Sequence, residues 1–430
     1  MSDSKLVKVT NTENSCISTR SVFHLKIGFA ILFSIFISLH SNAQFLGFYI
    51  DDENERTSFR FELINNLIVV PVVINDTINL NFILDTGVRA TILTDNTLTN
   101  FDLAKCRPVH IIGAGIMNEV EAFVVSNVSF RLPGITSPGL SIVALKEDYL
   151  HLQNHLGMAI HGILGYDFFS QFVVKIDYES KIITVIKPDK FKPGKRFVCT
   201  DIKLFHGRPY LLTNFLQYNN TIVNARLLID TGASHAIMLE TDSDSTIYVP
   251  DNSIETIVGW GLGGELIGEL GRIDSLHLSQ FHFKDVLCTF IPGYGQNLTD
   301  KIPDRKGSIG GELLGRFTII LDYKNEKVYL RKNSRIKRDF EYNLSGIDLV
   351  AIGTNFKLYK VIHIIPNSPA DLAGVKIGDL ILGINGQIIT EMSIQEVNGF
   401  FRTRPKNRIR LIILRDQNLE NISFRLARLI

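Results

Sequence analysis

The chain repeats itself once at a fixed spacing, and this duplication constrains the fold more than any other feature. Leu84-Asp85-Thr86-Gly87 returns 145 residues later as Ile229-Asp230-Thr231-Gly232. Gly162-Ile163-Leu164-Gly165, followed by Phe172 to Tyr178, returns at the same spacing of 145 residues as Gly307-Ser308-Ile309-Gly310, followed by Phe317 to Tyr323. Between these segments lie Gly113-Ala114-Gly115 and Gly259-Trp260-Gly261, at nearly the same spacing. Chance does not hold one register across separate segments. Solenoid repeats have periods of roughly 20–50 residues, far shorter than this one, so the chain contains two copies of a domain-sized unit.

Each unit reads as mostly β. Leu67 to Ile74 and Leu80 to Leu84 are rich in β-branched residues and are separated by the turn-forming Asn75-Asp76. Phe172 to Ile186 alternates around a turn at Tyr178 to Lys181, which predicts a hairpin, and Phe317 to Leu330 repeats it around Lys324-Asn325-Glu326. Short helical runs, Tyr166 to Gln171 and Glu312 to Arg316, follow the glycine-bearing turns. The expected fold is mainly β, with a first lobe over 58–190, a second over 194–333, and a small α+β domain over 339–430. The basic run Arg331, Lys332, Arg335, Lys337 and Arg338 reads as a solvated linker between the last two.

The N-terminus has the order of a secretory signal. Arg20 and Lys26 precede an apolar run from Ile27 to Leu39, and Ser41-Asn42-Ala43 offers small residues for cleavage after Ala43. The apolar run is shorter than the ~20 residues a spanning helix needs. The expectation is a secreted or periplasmic protein with a signal over 1–43; a membrane anchor through 27–39 is the alternative. Lys plus Arg is 45 and Asp plus Glu is 44, a balance that gives no basis for a nucleic-acid partner. Beyond the signal, Cys106, Cys199 and Cys288 allow one disulfide with a free thiol, or three buried apolar cysteines. No His/Cys cluster has metal-ligand spacing, so neither metal nor cofactor is expected.

Each Asp-Thr-Gly follows an apolar strand, which places Asp85 and Asp230 at strand ends with Gly87 and Gly232 allowing close backbone approach. A pseudo-twofold axis would bring the two loops together. Thr86 and Thr231 could then bond across to the opposite loop. Two carboxylates about 3 Å apart share one proton, because both cannot ionise cheaply. Such a pair can activate a water and donate a hydrogen bond to a carbonyl, without a covalent intermediate.

Asp85-Thr86-Gly87 and Asp230-Thr231-Gly232-Ala233-Ser234 resemble the active-site loops of pepsin-like and retroviral-type aspartic peptidases. Ile163-Leu164-Gly165 and Ser308-Ile309-Gly310 are similar to the motif that packs behind each loop in that family, with Ser308 replacing a hydrophobic residue. The resemblance covers about 58–332 and implies two β-rich lobes with the catalytic carboxylates, Asp85 and Asp230, between them. Val88 stands where the family has Ala or Ser. Gly115, Ile116, Met117 and Trp260 are candidates for flaps over the substrate, since glycine-rich hairpins permit hinge motion. The Gly259 to Gly264 run lacks the crossover helix of a dinucleotide site. Asp177 and Asp322 read as turn residues, and His161, which has Lys306 as its counterpart, reads as a packed or surface histidine.

The stretch from Asn367-Ser368-Pro369-Ala370 through Gly383-Ile384-Asn385-Gly386 resembles bacterial PDZ domains. Ser368 caps a short helix with Pro369 in its first turn, Gly374 ends it, and Asn385-Gly386 makes a tight turn. PDZ domains add an extended peptide to a sheet edge. The resemblance implies Leu344, Ser345, Gly346 and Ile347 as the carboxylate-binding loop and Ile394 to Phe401 as the groove helix; a purely structural docking module is the alternative. The combined expectation is an aspartic endopeptidase acting on peptide or protein substrates, with a second peptide or C-terminus ligand at the PDZ-like domain. The competing expectation is an inactive peptide-binding protein of the same fold, favoured by Val88.

Overall fold

Asn75 and Asp76, at φ 48° and 62°, turn the strand Leu67–Ile74 back onto Ile78–Leu84. Short polar side chains tolerate this left-handed backbone where β-branched ones do not. The computed structural model describes residues 47–51, 53–99, 101–113, 115, 119–293 and 302–430; the signal segment over 1–43 and the flap candidates Ile116 and Met117 lie outside them. Among the described residues the chain is mainly β, as the repeat implies.

The two repeats form equivalent sheets. In the first lobe the strand Gly162–Leu164 lies parallel to Ile78–Leu84, pairing Phe82 with Gly162 and Leu84 with Leu164. In the second, Arg305–Ile309 lies parallel to Ile222–Ile229, pairing Leu227 with Gly307 and Ile229 with Ile309, the same register 145 residues on. Each of these strands leads directly into helix α2 (Tyr166–Phe169) or α3 (Gly311–Leu314). Helix α1 (Leu152–Leu156) precedes the first of them.

A third sheet joins the lobes. Its six antiparallel strands run Val198–Asp201, Lys327–Lys332, Phe317–Asp322, Val173–Asp177, Ile182–Ile186 and Arg56–Arg60. Lys175 pairs with Ile320, its own counterpart in the other repeat, so the pseudo-twofold axis passes between them. The strand Phe317–Asp322 is buried along its whole length, and one apolar cluster runs through both lobes from Phe48 to Phe340. The lobes therefore share a core and are not merely tethered.

The C-terminal domain has its own six-stranded sheet and its own core, centred on Ile347, Tyr359, Val361, Ile384, Val397 and Phe401. Among the described residues, its edge strand, Ile347–Ile352, pairs on one side only, with Leu358–Ile364. Helix α4 (Pro369–Leu372) is capped by Ser368, which accepts from the Asp371 amide. Helix α5 (Ile394–Phe400) begins with a capping box between Ser393 and Glu396.

Two expectations need correction. Arg331 and Lys332 belong to the strand Lys327–Lys332, held there by pairing with Phe317–Asp322, and so do not lie in a solvated linker. The connection that follows is pinned instead: Arg316 lies over the Phe340 ring at 3.6 Å, and Arg272 Nη2 donates to the Phe340 carbonyl at 2.8 Å. All three described cysteines are free thiols and only Cys288 is buried, so neither the disulfide nor the set of three buried cysteines is present.

Candidate active site

Asp85 and Asp230 emerge from equivalent strand ends, and the same hydrogen bond fixes each backbone. The Asp85 amide donates to the Leu164 carbonyl at 2.9 Å, and the Asp230 amide donates to the Ile309 carbonyl at 2.9 Å. This explains the second repeated motif physically: its strand supplies the carbonyl that anchors the Asp loop. The turn behind each Asp closes on its own carboxylate. Gly87 N donates to Asp85 Oδ1 at 2.5 Å, and Gly232 N donates to Asp230 Oδ1 at 3.0 Å.

The threonines cross over. Thr86 Oγ1 donates to the Ile229 carbonyl at 2.5 Å while accepting from Thr231 N at 3.0 Å. Thr231 Oγ1 donates to the Leu84 carbonyl at 2.8 Å while accepting from Thr86 N at 3.1 Å. Each hydroxyl thus closes a link between strands that come from different lobes, and both are fully buried. In this clamp the two carboxyl groups reach hydrogen-bond contact with each other. A Cβ on Gly232 would fall on the Asp85 carboxyl, so that position needs glycine for the carboxylates to meet, and one on Gly87 would lie 3.0 Å from Asp230 Oδ1, a tight contact.

Both carboxyl groups are pushed above the ordinary Asp range. Asp85 and Asp230 keep part of their surface open to solvent. Even so, loss of water around the carboxyls is the largest cause of each shift. The charge of Asp230 raises Asp85 further, while the more distant Arg305 and Arg208 act to lower Asp230. A pair in contact titrates as one unit and holds one proton between its members over an intermediate pH range.

Val88 is accommodated without distorting the first loop. Its carbonyl accepts from Tyr166 N at 3.1 Å, as the Ala233 carbonyl accepts from Gly311 N at 2.6 Å. Its side chain faces an apolar cluster around Ile92, Val120 and Ile163. Ser308 has a partner the first copy lacks: its hydroxyl meets His235 Nε2 at 3.0 Å, where the first repeat has Ile163 and Ala90. Burial holds His235 down to about 4, so this imidazole is neutral near pH 7.

The remaining sequence candidates are scattered in role. Asp177 accepts from the Glu179 and Ser180 amides and Asp322 from the Asn325 amide, which makes both turn residues. His161 is buried, with Nδ1 accepting from Asn81 N at 3.1 Å, a structural bond within the first sheet. Gly115 meets Gly263: the first-lobe hairpin, Arg107–Ile111 with Val120–Leu132, approaches the turn of the second-lobe hairpin, Ile254–Gly261 with Gly264–Leu278. Trp260, on that second hairpin, packs against His155 of helix α1 with ring centroids 4.4 Å apart and the ring planes tilted by 34°. No pattern in the sequence marks His155 or Leu262, because their contacts join residues about a hundred positions apart. Among the described residues no cluster of His, Cys, Asp or Glu is arranged to hold a metal.

In the C-terminal domain, Leu344, Ser345, Gly346 and Ile347 form a buried loop. Three of its amides are already committed: Leu344 N to the Phe401 carbonyl at 2.9 Å, Ser345 N to Asn343 Oδ1 at 2.9 Å, and Ile347 N to Ser345 Oγ at 3.1 Å. Those three donors are not open to a terminal carboxylate.

The threonine clamp has a measurable energy. Removing a buried hydroxyl that both donates and accepts leaves a carbonyl and an amide of the opposite lobe unpaired, at a cost of about 1–3 kcal/mol. Thr86→Ala and Thr231→Ala should each lower the denaturant midpoint accordingly, with Ser in place of Thr restoring most of the loss. The double Ala variant should lose less than the sum, because the two hydroxyls share one network. Equilibrium unfolding of the three variants tests this.

The comparisons with known proteins agree with this geometry. No curated protein matches the chain. The aspartyl protease family model matches twice, over 70–168 and 216–313, and so spans both Asp-Thr-Gly loops and both anchoring strands. The PDZ domain model matches 361–415. The chain carries an aspartyl protease domain made of two copies of one unit, with a PDZ domain C-terminal to it.

Proposed function

We propose that the protein is an aspartic endopeptidase that hydrolyses peptide bonds with water activated by Asp85 and Asp230. The observation that carries this reading is the contact between the two carboxyl groups, held by the crossed threonine hydroxyls. A water between the carboxyls loses a proton to the ionised member as its oxygen attacks the scissile carbonyl carbon. The protonated member donates to the carbonyl oxygen, giving a tetrahedral diol. Proton transfer to the amide nitrogen then lets the C–N bond break, and the pair returns to one shared proton. The substrate is a peptide or an unfolded protein segment. By the targeting pattern at 1–43, the site of action is outside the cytoplasm, in the periplasm or beyond.

Asp85→Asn and Asp230→Asn should each lower kcat/KM on a denatured protein substrate by about 10²–10⁴-fold, the range general acid–base groups contribute. A statine-type transition-state mimic should block the wild type. Full activity in either variant removes the peptidase reading and leaves an inert fold that binds peptides.

The pH dependence follows from the raised carboxyls. Catalysis needs one proton on the pair, so activity falls as pH rises through the upper apparent value, and burial places that limb above the ordinary Asp value of about 3.9. For stability, a carboxyl whose folded value is raised contributes most below its unfolded value, and that contribution is lost as pH rises through the folded one. Asp85→Asn should therefore melt at a higher temperature than the wild type at neutral pH, with the difference shrinking as pH approaches 4. Melting curves across that window check the sign.

N-terminal sequencing of the protein recovered from outside the producing cell should begin at Gln44. An intact Met1 in the membrane fraction would instead favour the anchor through 27–39.

A further inference from the structure

We propose that the PDZ groove is the seat of the protein's own helix α1, and that this seating latches the second-lobe hairpin beside the Asp dyad. A PDZ groove lies between the free edge of one strand and the neighbouring helix, and ligands enter by adding to that edge. Here the edge strand is Ile347–Ile352 and the helix is α5. Helix α1 of the first lobe packs against both. Asn154 Nδ2 donates to the Ala351 carbonyl at 3.0 Å, so a side-chain amide stands where a ligand backbone would donate.

The helix ends at Gly157, with φ +66°, directly between the two walls of the groove. A side chain there would have its first carbon 3.1 Å from Ile394 Cγ2 on the helix wall and 3.5 Å from Ala351 Cβ on the strand wall. Glycine is needed both for the left-handed backbone and for the fit. The opposite face of α1 belongs to the peptidase. Leu156 is buried with Leu67, Val69, Ile83 and Ile160, and Asn65 Nδ2 donates to the His155 carbonyl at 3.2 Å. One short helix thus fills the groove while staying part of the first lobe.

The same helix reaches the hairpin. His155 packs against Trp260, and burial holds its imidazole down to about 4, so the contact at neutral pH is between two uncharged rings. At the hairpin turn, Leu262 packs onto the apolar cluster that also receives Val88, next to the Asp85 loop, and Leu152 of α1. The hairpin's position beside the dyad therefore depends on where α1 sits, and α1 sits in the PDZ groove. The committed amides of Leu344, Ser345 and Ile347 fit the same picture, since an internal helix brings no terminal carboxylate to bind.

Trp260 is the single tryptophan, so its fluorescence reports the latch directly. In the full-length protein, Asn154→Asp removes the donor and sets a carboxylate against the Ala351 carbonyl. Amide exchange should accelerate about tenfold in 152–157 and in 347–352 together, and acrylamide should quench Trp260 more strongly. His155→Ala should raise Trp260 quenching while exchange in 347–352 stays at the wild-type rate. Unchanged exchange in Asn154→Asp overturns the seating of α1, and unchanged quenching in His155→Ala overturns the link to the hairpin. None of these readouts needs turnover, so an inactive dyad and a failed latch give different results.

Discussion

Two carboxylates can be brought into contact only if something other than the carboxylates holds them there. Their charges repel and their burial removes water that each would otherwise keep. The crossed threonine hydroxyls provide the opposing force. They are neutral, buried and fully partnered, and each ties the strand end of one lobe to the loop of the other. The rest of the peptidase part can be read as support for this clamp. The parallel strands at Leu164 and Ile309 fix the Asp amides, and the sheet through Lys175 and Ile320 fixes the axis about which the loops face each other. A slip of one residue in that central sheet would turn its buried side chains outward and move both loops off the axis.

Duplication also explains where the two copies were free to diverge. The Asp, Thr and Gly of the clamp are the same in both, and the hydrogen bonds that anchor each Asp recur 145 residues apart. Just behind it, Ile163 with Ala90 in one copy becomes Ser308 with His235 in the other. A buried serine alone would leave an unpaired hydroxyl, and a buried histidine alone an unpaired ring nitrogen. Together they satisfy each other at the cost of holding the imidazole neutral. The substitution is intelligible as a pair, and its single visible half, Ser308, looked in the sequence like a lapse from the motif.

Legibility followed the range of the interaction. Strands such as Leu67–Ile74, the hairpins ending in Asp177 and Asp322, and the cap at Ser368 were readable because local spacing and turn chemistry specify them. The pairing of the Asp loops was readable because a repeat implies an axis. Tertiary neighbours were not. Arg331 and Lys332 looked like linker because charge suggests solvent, yet their strand is fixed by pairing with a wholly buried neighbour. Val88 looked disruptive because its size was visible and the apolar cluster that receives it was not.

The PDZ domain shows the same limit from another side. Its motif residues specify a fold, and the fold is present with its own core and its capped helices. What the motif does not encode is occupancy. Whether an edge strand and a helix wall stand open depends on what the remainder of the chain presses against them. Here that is a segment with no signature of its own, Leu152–Leu156 and the glycine after it. Exposed sheet edges invite pairing, and proteins commonly cover them. A groove covered from within differs from an empty one in a specific way. Any external ligand must compete with a helix present at very high effective concentration, so it needs affinity well beyond that of an ordinary groove peptide. The module is therefore better suited to holding the peptidase lobes in one arrangement than to sampling free chain ends.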